Sequence, residues 1–319
     1  MYIWELPDWP RFHWDAARLQ EPLGVAHRKE GLLLGNMARL GFYLKLTAEV
    51  EAITEEALKS SEIEGEMLNR ESVRSSVARR LGVPDAALAP EDRKVEGIVS
   101  MTLDATKKYA GPLTRERLFG WHAALFPTGY SGLRRIRVGD WRDDASGPMQ
   151  VLSGPIGREK VHYEAPPAKR VDAEMAAFVD WFEQPRTIDG ILHAAVAHLW
   201  FVTIHPFDDG NGRIARAIAD MALARSEESP RRFCSMSAKS ASSGRATTRS
   251  SKPPRRATST SPRGCTGSWL ASIGRLTTRK SRLRPCSERP ASGTPTPMRN
   301  STTASGGCST ASWTALKES

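Results

Sequence analysis

Twelve consecutive residues, His205–Arg216, carry side chains suited to one reaction, and their sequence is HPFDDGNGRIAR. His205 titrates near neutral pH and can take a proton from a hydroxyl group. Asp209 is a carboxylate of the kind that holds Mg²⁺ beside phosphates. Arg213 and Arg216 are three residues apart, so on a helix they share a face and can bind a polyphosphate together. Base, carboxylate and arginines together indicate transfer from a nucleotide phosphate to a hydroxyl.

Glycines and two flanking helices are expected to position these side chains. Gly210 and Gly212 flank Asn211, a combination that tolerates positive φ and exposes backbone N–H groups. Apolar residues at helical spacing precede the loop over 191–204 and follow it over 214–224. The pattern predicts a helix–loop–helix in which the start of the second helix favours an anion. A capped turn with solvated arginines would explain each residue singly, but not all of them in one loop.

This stretch resembles the signature of the Fic (filamentation induced by cAMP) family, His-x-Phe-x-Asp/Glu-Gly-Asn-Gly-Arg-x-x-Arg, at every specified position. The resemblance implies an all-α fold, a Fic-type helical bundle with a small β-hairpin flap. It also implies transfer of AMP from ATP, with Mg²⁺ as cofactor, to a Ser, Thr or Tyr hydroxyl of a protein. The implied roles are base for His205, Mg²⁺ ligand for Asp209, loop anchor for Phe207, anion hole for Gly210, Asn211 and Gly212, phosphate ligand for Arg213, and γ-phosphate ligand for Arg216.

A second stretch, Ser60–Gly65, has the sequence SSEIEG. Taken alone, it is an acidic helix end with Gly65 as its C-terminal stop. It also fits the family's inhibitory motif, Ser/Thr-x-x-x-Glu-Gly/Asn, which implies an inhibitory helix at about residues 48–66, capped by Thr47 or Thr54. The specified residues of this motif are Ser60, Glu64 and Gly65. Glu64 would pair with Arg216 and occupy the place of the γ-phosphate of ATP. The resemblance therefore implies a self-inhibited enzyme whose inhibitory helix precedes the core.

The rest of the sequence predicts three regions: residues 1–84, 85–238 and 239–319. Residues 1–84 form a helical N-terminal domain, with an aromatic arm, a helix from Asp15 through Leu23 and a longer helix that includes Leu44. Residues 85–238 form the catalytic core that the resemblance implies, in which a glycine-rich segment with strand character, at about 137–165, predicts a β-hairpin. The resemblance implies that this hairpin is the family's flap, on which a protein target docks, and association into a homodimer stays open.

Residues 239–319 have a different composition from the rest. The net charge of +10 divides into −3 for residues 1–238 (31 Lys+Arg, 34 Asp+Glu) and +13 for residues 239–319 (15 against 2). With 30 Ser+Thr and five Leu+Ile, this tail cannot bury a core and is predicted to be disordered. Back-translation in another reading frame gives an aromatic amphipathic segment, which favours a frameshift near Ser237–Lys239. Because the positive charge lies in the tail, nucleic acid is not expected to bind the folded body.

Three alternatives to AMP transfer stay open. The same site could remove AMP from a modified protein, with Glu64 positioning the water. The basic tail could make the chain a DNA-binding or regulatory protein, or the chain could be the inactive product of a broken gene. No segment is long and apolar enough to cross a bilayer, and the N-terminus lacks a signal-peptide pattern. We therefore expect a cytoplasmic protein with no membrane partner.

Overall fold

The computed structural model describes residues 2–83, 92–145, 147–153, 160–235 and 237. Within these ranges it contains eight α-helices: α1 Ala16–Ala38, α2 Phe42–Ile63, α3 Arg70–Arg80, α4 Arg93–Lys107, α5 Arg115–Leu125, α6 Ala168–Glu183, α7 Gly190–Ile204 and α8 Asn211–Ser226. The same ranges contain four short strands: β1 Tyr130–Ser131, β2 Arg134–Arg135, β3 Gln150–Ser153 and β4 Lys160–Glu164. The prediction of an all-α fold with a small β-hairpin is confirmed.

Helix α1 is one helix where the sequence predicted two. It begins as predicted, because the Asp15 carboxylate accepts a hydrogen bond from the backbone N–H of Arg18 at 3.1 Å. The predicted break after Leu23 is wrong, since the helix runs through Pro22 to Ala38. A proline removes one helical hydrogen bond, but the helix-forming residues on both sides of it continue the helix. Leu44 belongs to α2 instead.

The aromatic arm, which includes Trp9, Phe12 and Trp14, packs on the body of the protein. The rings of Trp9 and Phe12 lie against Trp200 of α7, with centroids 6.0 and 5.7 Å apart. The indole N–H of Trp9 also donates to the Glu174 carboxylate of α6 at 2.8 Å. Both rings therefore bury apolar area, while Trp14 of the same arm is 36% exposed.

Helix α2 carries the predicted inhibitory motif but begins earlier than the predicted residue 48. Its first residue is Phe42, and the Thr47 hydroxyl donates to the Tyr43 carbonyl inside the helix instead of capping it. The helix ends at Ile63, and Gly65 follows with φ +81°. The N–H of Glu66 then donates to the carbonyl of Ser61 at 2.9 Å, a bond that reverses the chain after a helix.

The core lies around α7 and α8, which pack against each other, with α4 against α8 and α6 against α7. Large side chains without exposed surface fill it; they include Phe178, Phe201, Ile204, Phe207 and Ile214. Burying a side chain of this size stabilises the fold by about 1.5–3 kcal/mol. The loop between α7 and α8 is therefore held at both ends by the most buried helices.

Two hairpins lie beside this core. Strands β3 and β4 pair antiparallel, with Gln150 opposite Glu164, and form the predicted flap hairpin. Strands β1 and β2 also pair antiparallel, with Ser131 opposite Arg134. The sequence did not predict this second hairpin, because strands of two residues carry no measurable alternation.

The last described residues pack on α2. The Ser235 hydroxyl donates to the Glu56 carboxylate at 2.8 Å, and the N–H of Ser237 donates to the same carboxylate at 3.0 Å. The tail at residues 239–319, with its predicted disorder, lies outside the described residues, and the frameshift and the three-region division stay predictions. Among the described helices, none is long and apolar enough to cross a membrane.

Candidate active site

His205 lies at the end of α7, in the left-handed conformation with φ 53° and ψ 59°. Its Nδ1 is 3.3 Å from the carbonyl oxygen of Val202. A carbonyl only accepts hydrogen bonds, so this contact favours the tautomer with the proton on Nδ1 and leaves Nε2 as an acceptor. Burial lowers the pKa of His205 from 6.5, although the Val202 carbonyl acts in the opposite direction. The imidazole is therefore neutral at neutral pH and able to accept a proton.

The loop after His205 is fixed by the side-chain amide of Asn211, the first residue of α8. Its Oδ1 accepts from the N–H of Phe207 at 2.9 Å, and its Nδ2 donates to the Phe207 carbonyl at 2.7 Å. The Phe207 ring stacks on His122, with centroids 4.2 Å apart, and contacts Trp141 at 5.1 Å. Phe207 therefore anchors the loop to α5, and Asn211 fixes the backbone of Phe207.

His122 has a packing role in this site. Its ring has no exposed surface, and its Nδ1 accepts from the N–H of Gly139 at 3.3 Å. Burial lowers the pKa of His122 to about 4, so the ring stays neutral against Phe207.

Asp209 and Gly210 form the turn into α8. The N–H of Gly210 donates to Asp209 Oδ1 at 2.6 Å, and the hydroxyl of Ser131 in β1 donates to Asp209 Oδ2. Gly210 has φ +79°, and a Cβ at this position would lie 2.9 Å from the ring of Phe126. The turn therefore requires glycine for its conformation and for space.

Asp209 fits the way in which proteins hold Mg²⁺ beside phosphates. Among the described residues, no group of three or more His, Cys, Asp and Glu could hold a metal ion. Mg²⁺ beside a nucleotide, however, takes one or two carboxylates and fills its other positions with phosphate oxygens and waters. The neighbouring Asp208 accepts through Oδ2 from the N–H of Arg137 at 2.9 Å. Asp209 adjoins Gly210, the N-cap of α8, and each of its oxygens keeps a lone pair for the ion beside the hydrogen bond from Gly210 or Ser131.

The N-terminus of α8 is suited to an anion. Gly210, its N-cap, has no side chain, so no side-chain hydrogen bond caps the first N–H groups of the helix. Arg213 and Arg216 both lie in the first two turns and are 6% and 8% exposed. The Arg213 guanidinium lies over the ring of Phe126, with Cζ 4.9 Å from the ring centroid. Both positive groups are therefore held at one end of one helix.

The end of α2 lies directly against this helix start. Glu64 Oε1 is 2.7 Å from Arg216 Nη2, and Arg216 Nε donates to the Ser60 hydroxyl at 2.8 Å. A Cβ placed on Gly212 would lie 2.1 Å from Glu64 Oε1. The Glu64 carboxylate is therefore itself an anion at the N-terminus of α8, and the contact that the sequence predicted between Glu64 and Arg216 is present.

Three residues of the site were not found from the sequence. Ser131 donates to Asp209, Arg142 donates through Nε to the His205 carbonyl at 2.7 Å, and Glu66 Oε2 lies 2.9 Å from Arg213 Nη1. Ser131 and Arg142 lie more than 60 residues from their partners, so no local spacing connects them. Glu66 could have been found, because it follows the inhibitory motif by one residue.

Comparison with known proteins agrees with the signature. Residues 112–223 match the model of the Fic/DOC family, and residues 2–83 match a domain of unknown function, DUF4172. The family model spans the chain from α5 into α8 and includes the loop that carries the site. Residues 112–223 therefore form a domain of the Fic/DOC family.

Two curated relatives illustrate the similarity. The uridine 5′-monophosphate transferase of Xanthomonas campestris pv. campestris is 29% identical over 150 residues, which cover 43% of this chain and 26% of that protein. Protein adenylyltransferase fic-1 of Caenorhabditis elegans is 46% identical over 55 residues, which cover 17% of this chain and 11% of that protein. The chain therefore spans about a quarter or less of the length of these relatives. Among solved structures, Fic-1 (aa134 - 508) from C. elegans aligns with a TM-score of 0.49 and 19% identity, over 83% of this chain and 74% of that chain.

Proposed function

We propose that the chain is a self-inhibited nucleotidyltransferase that moves AMP from ATP to a Ser, Thr or Tyr hydroxyl of a protein. The observation that carries this proposal is the placement of His205 and two buried arginines around the uncapped start of α8, with Glu64 against them. The C. elegans relative named protein adenylyltransferase supports AMP as the transferred group. As in the sequence prediction, we place the reaction in the cytoplasm.

His205 is the general base of this reaction. Its Nε2 takes the proton of the target hydroxyl, and the oxygen forms a bond to the α-phosphorus of ATP. The bond between the α-phosphorus and the bridging oxygen breaks, and pyrophosphate leaves. Burial keeps the pKa of His205 low, so the base is neutral without a further activating group.

The loop and α8 hold the nucleotide during this step. The N–H groups at the start of α8 and the guanidinium of Arg213 bind the phosphates, and Arg216 binds the terminal phosphate. Asp209 is the residue that would hold Mg²⁺, which neutralises charge on the phosphates when it is bound. The flap, β3 with β4, is the proposed docking site for an extended segment of the target.

Glu64 is the inhibitory group in this proposal. Its carboxylate is negatively charged, as a phosphate is, and lies on Arg216 and over Gly212. ATP must displace it to place its terminal phosphate on Arg216. Replacing Glu64 by glycine should therefore raise the rate of transfer.

Transfer of UMP is a second candidate function. It is favoured by the longest matched segment among the relatives described above, which belongs to a protein named uridine 5′-monophosphate transferase. The proposed phosphate-binding residues serve either nucleotide, because ATP and UTP carry the same triphosphate. The donor must therefore be determined by experiment.

The test uses α-³²P-labelled ATP and UTP with Mg²⁺ and a cell extract as the source of acceptors. Three proteins are compared: the unaltered chain, Glu64→Gly, and Glu64→Gly with His205→Ala. We expect protein-bound label from ATP, stronger with the first variant and absent with the second. If label reaches protein from UTP and not from ATP, the transferred group is UMP and not AMP. Release of AMP from labelled proteins, without transfer, would instead indicate removal of AMP, and no reaction by folded Glu64→Gly would contradict the proposal.

A further inference from the structure

We propose that Glu66 is a second inhibitory carboxylate, which holds Arg213 as Glu64 holds Arg216. The nucleotide must then displace two carboxylates from two arginines before its phosphates can bind. This inference rests on the proposed function, since it concerns the regulation of the same site. Glu66 lies outside the six residues of the inhibitory motif, Ser60–Gly65.

The contacts of Glu66 are those of a bridging carboxylate. Its Oε2 is 2.9 Å from Arg213 Nη1, and its Oε1 is 3.1 Å from Lys94 Nζ at the start of α4. The side chain of Arg213 is 7% exposed and that of Glu66 is 27% exposed. The pair is therefore largely removed from solvent on the arginine side, where a charge-assisted hydrogen bond is strongest.

The geometry of the chain places the two carboxylates on the two arginines. Glu64 and Glu66 are separated by Gly65, whose φ of +81° turns the chain after α2. The N–H of Glu66 donates to the Ser61 carbonyl at 2.9 Å and fixes that turn. Arg213 and Arg216 lie three residues apart on α8, so each carboxylate reaches one guanidinium.

Arg213 has few other partners in the described part of the chain. Its Nε is buried and has no hydrogen-bond partner there, and its guanidinium otherwise lies on the ring of Phe126. Glu66 thus supplies the one carboxylate that pairs with Arg213 among the described residues. A phosphate that replaced Glu66 would gain the same charged donor and could also use the unpaired Nε.

Removal of Glu64 alone would leave this second contact in place. Glu64→Gly frees Arg216, but Arg213 stays paired with Glu66. Glu66→Gln keeps the size of the side chain, removes its charge and leaves Arg213 and Lys94 as two free cations near the nucleotide site. A charge-assisted hydrogen bond of this strength, reduced for its partial exposure, corresponds to about a 5- to 30-fold change in an equilibrium constant.

The test measures the Kd for α,β-methylene-ATP, in which the bond that the reaction would break cannot be cleaved. If the transfer assay shows that UTP is the donor, α,β-methylene-UTP is used instead. The full-length variants are Glu66→Gln, Glu64→Gly, both together, and Glu71→Gln as a control at an exposed carboxylate of α3. We expect Glu66→Gln to lower the Kd by about 5- to 30-fold, and by a similar factor when it is added to Glu64→Gly. The Glu71→Gln control should stay within twofold of the unaltered chain.

Two results separate failure of this inference from failure of the proposed function. An unchanged Kd in both Glu66→Gln backgrounds, while Glu64→Gly still raises transfer, would overturn the role of Glu66 alone. Absence of nucleotide binding by folded Glu64→Gly would overturn both. Should Glu66→Gln fail to fold, Glu66→Asp serves as a second variant, because it keeps the charge on a shorter side chain. It should lower the Kd relative to the unaltered chain, because the shorter side chain weakens the contact with Arg213, and an unchanged Kd would count against the inference.

Discussion

Replacing Asn211 by alanine tests whether one side-chain amide holds the catalytic loop in place. In the structure the amide makes two hydrogen bonds with the backbone of Phe207, at 2.9 and 2.7 Å. Both partners are buried, since Asn211 is 2% exposed and Phe207 has no exposed surface. Asn211→Ala therefore leaves a buried N–H group and a buried carbonyl without partners.

The expected loss follows from those two groups. An unsatisfied buried polar group costs about 1–3 kcal/mol, so two of them reduce the free energy of unfolding by about 2–6 kcal/mol. The chain supplies a matched control in Asn69, an exposed N-cap of α3 whose Oδ1 accepts from the N–H of Ser72 at 2.9 Å. Asn69→Ala should cost about 1 kcal/mol, because water replaces the lost bond.

The assay is equilibrium unfolding in urea, monitored by circular dichroism. The slope of the unfolding free energy against urea concentration is compared between variants. We expect Asn211→Ala to lose at least twice as much free energy as Asn69→Ala and to lose transfer activity as well. A loss equal to that of Asn69→Ala, with full activity, would refute the conclusion that this amide fixes the loop.

Three further predictions concern the charge states and the turn of the site. Because burial lowers the pKa of His205 from 6.5, kcat/KM for transfer should be flat above pH 6.5 and fall on the acid side; an inflection above 6.5 would contradict this. Burial also lowers the pKa of His193 to about 4, so between pH 6.5 and 4 the unfolded chain gains a proton that the folded chain does not. That difference reduces stability by up to about 1.4 kcal/mol per pH unit as the pH falls. His193→Gln should remove this part of the dependence of the unfolding free energy on pH. If urea titrations at several pH values gave the same pH dependence for both proteins, the prediction would be contradicted. Gly210→Ala should destabilise the protein more than Gly129→Ala. The two glycines have similar φ values, 79° and 78°, but only a Cβ on Gly210 would contact Phe126, at 2.9 Å. Equal melting temperatures of the two variants would show that this contact does not matter.

The helices and the loop could be predicted from the sequence because their signals are local. Apolar spacing marked α7 and α8, and the loop residues from His205 to Arg216 lie together in the chain and in space. The order Ser60, Glu64, Gly65 predicted the contact of Glu64 because the signature supplied its partner, Arg216. The hairpin of β3 and β4 followed from glycines and strand-forming residues.

What could not be predicted depends on contacts between distant residues. Arg142 holds the carbonyl of His205 across 63 positions, and Ser131 holds Asp209 across 78. Neither spacing has a period that a sequence reveals. The continuation of α1 beyond Leu23 was not predicted either; the hydrogen bond missing at Pro22 costs less than the rest of that helix contributes.

The most direct test of the account is the position of the label that reaches protein. The Glu64→Gly protein is incubated with Mg²⁺ and cell extract, with ATP labelled in the α-phosphate in one reaction and in the γ-phosphate in the other. We predict protein-bound label from the α position, none from the γ position, and loss of the α label when His205→Ala is added. Label from the γ position, or α label that survives His205→Ala, would contradict transfer of a nucleotide by this site.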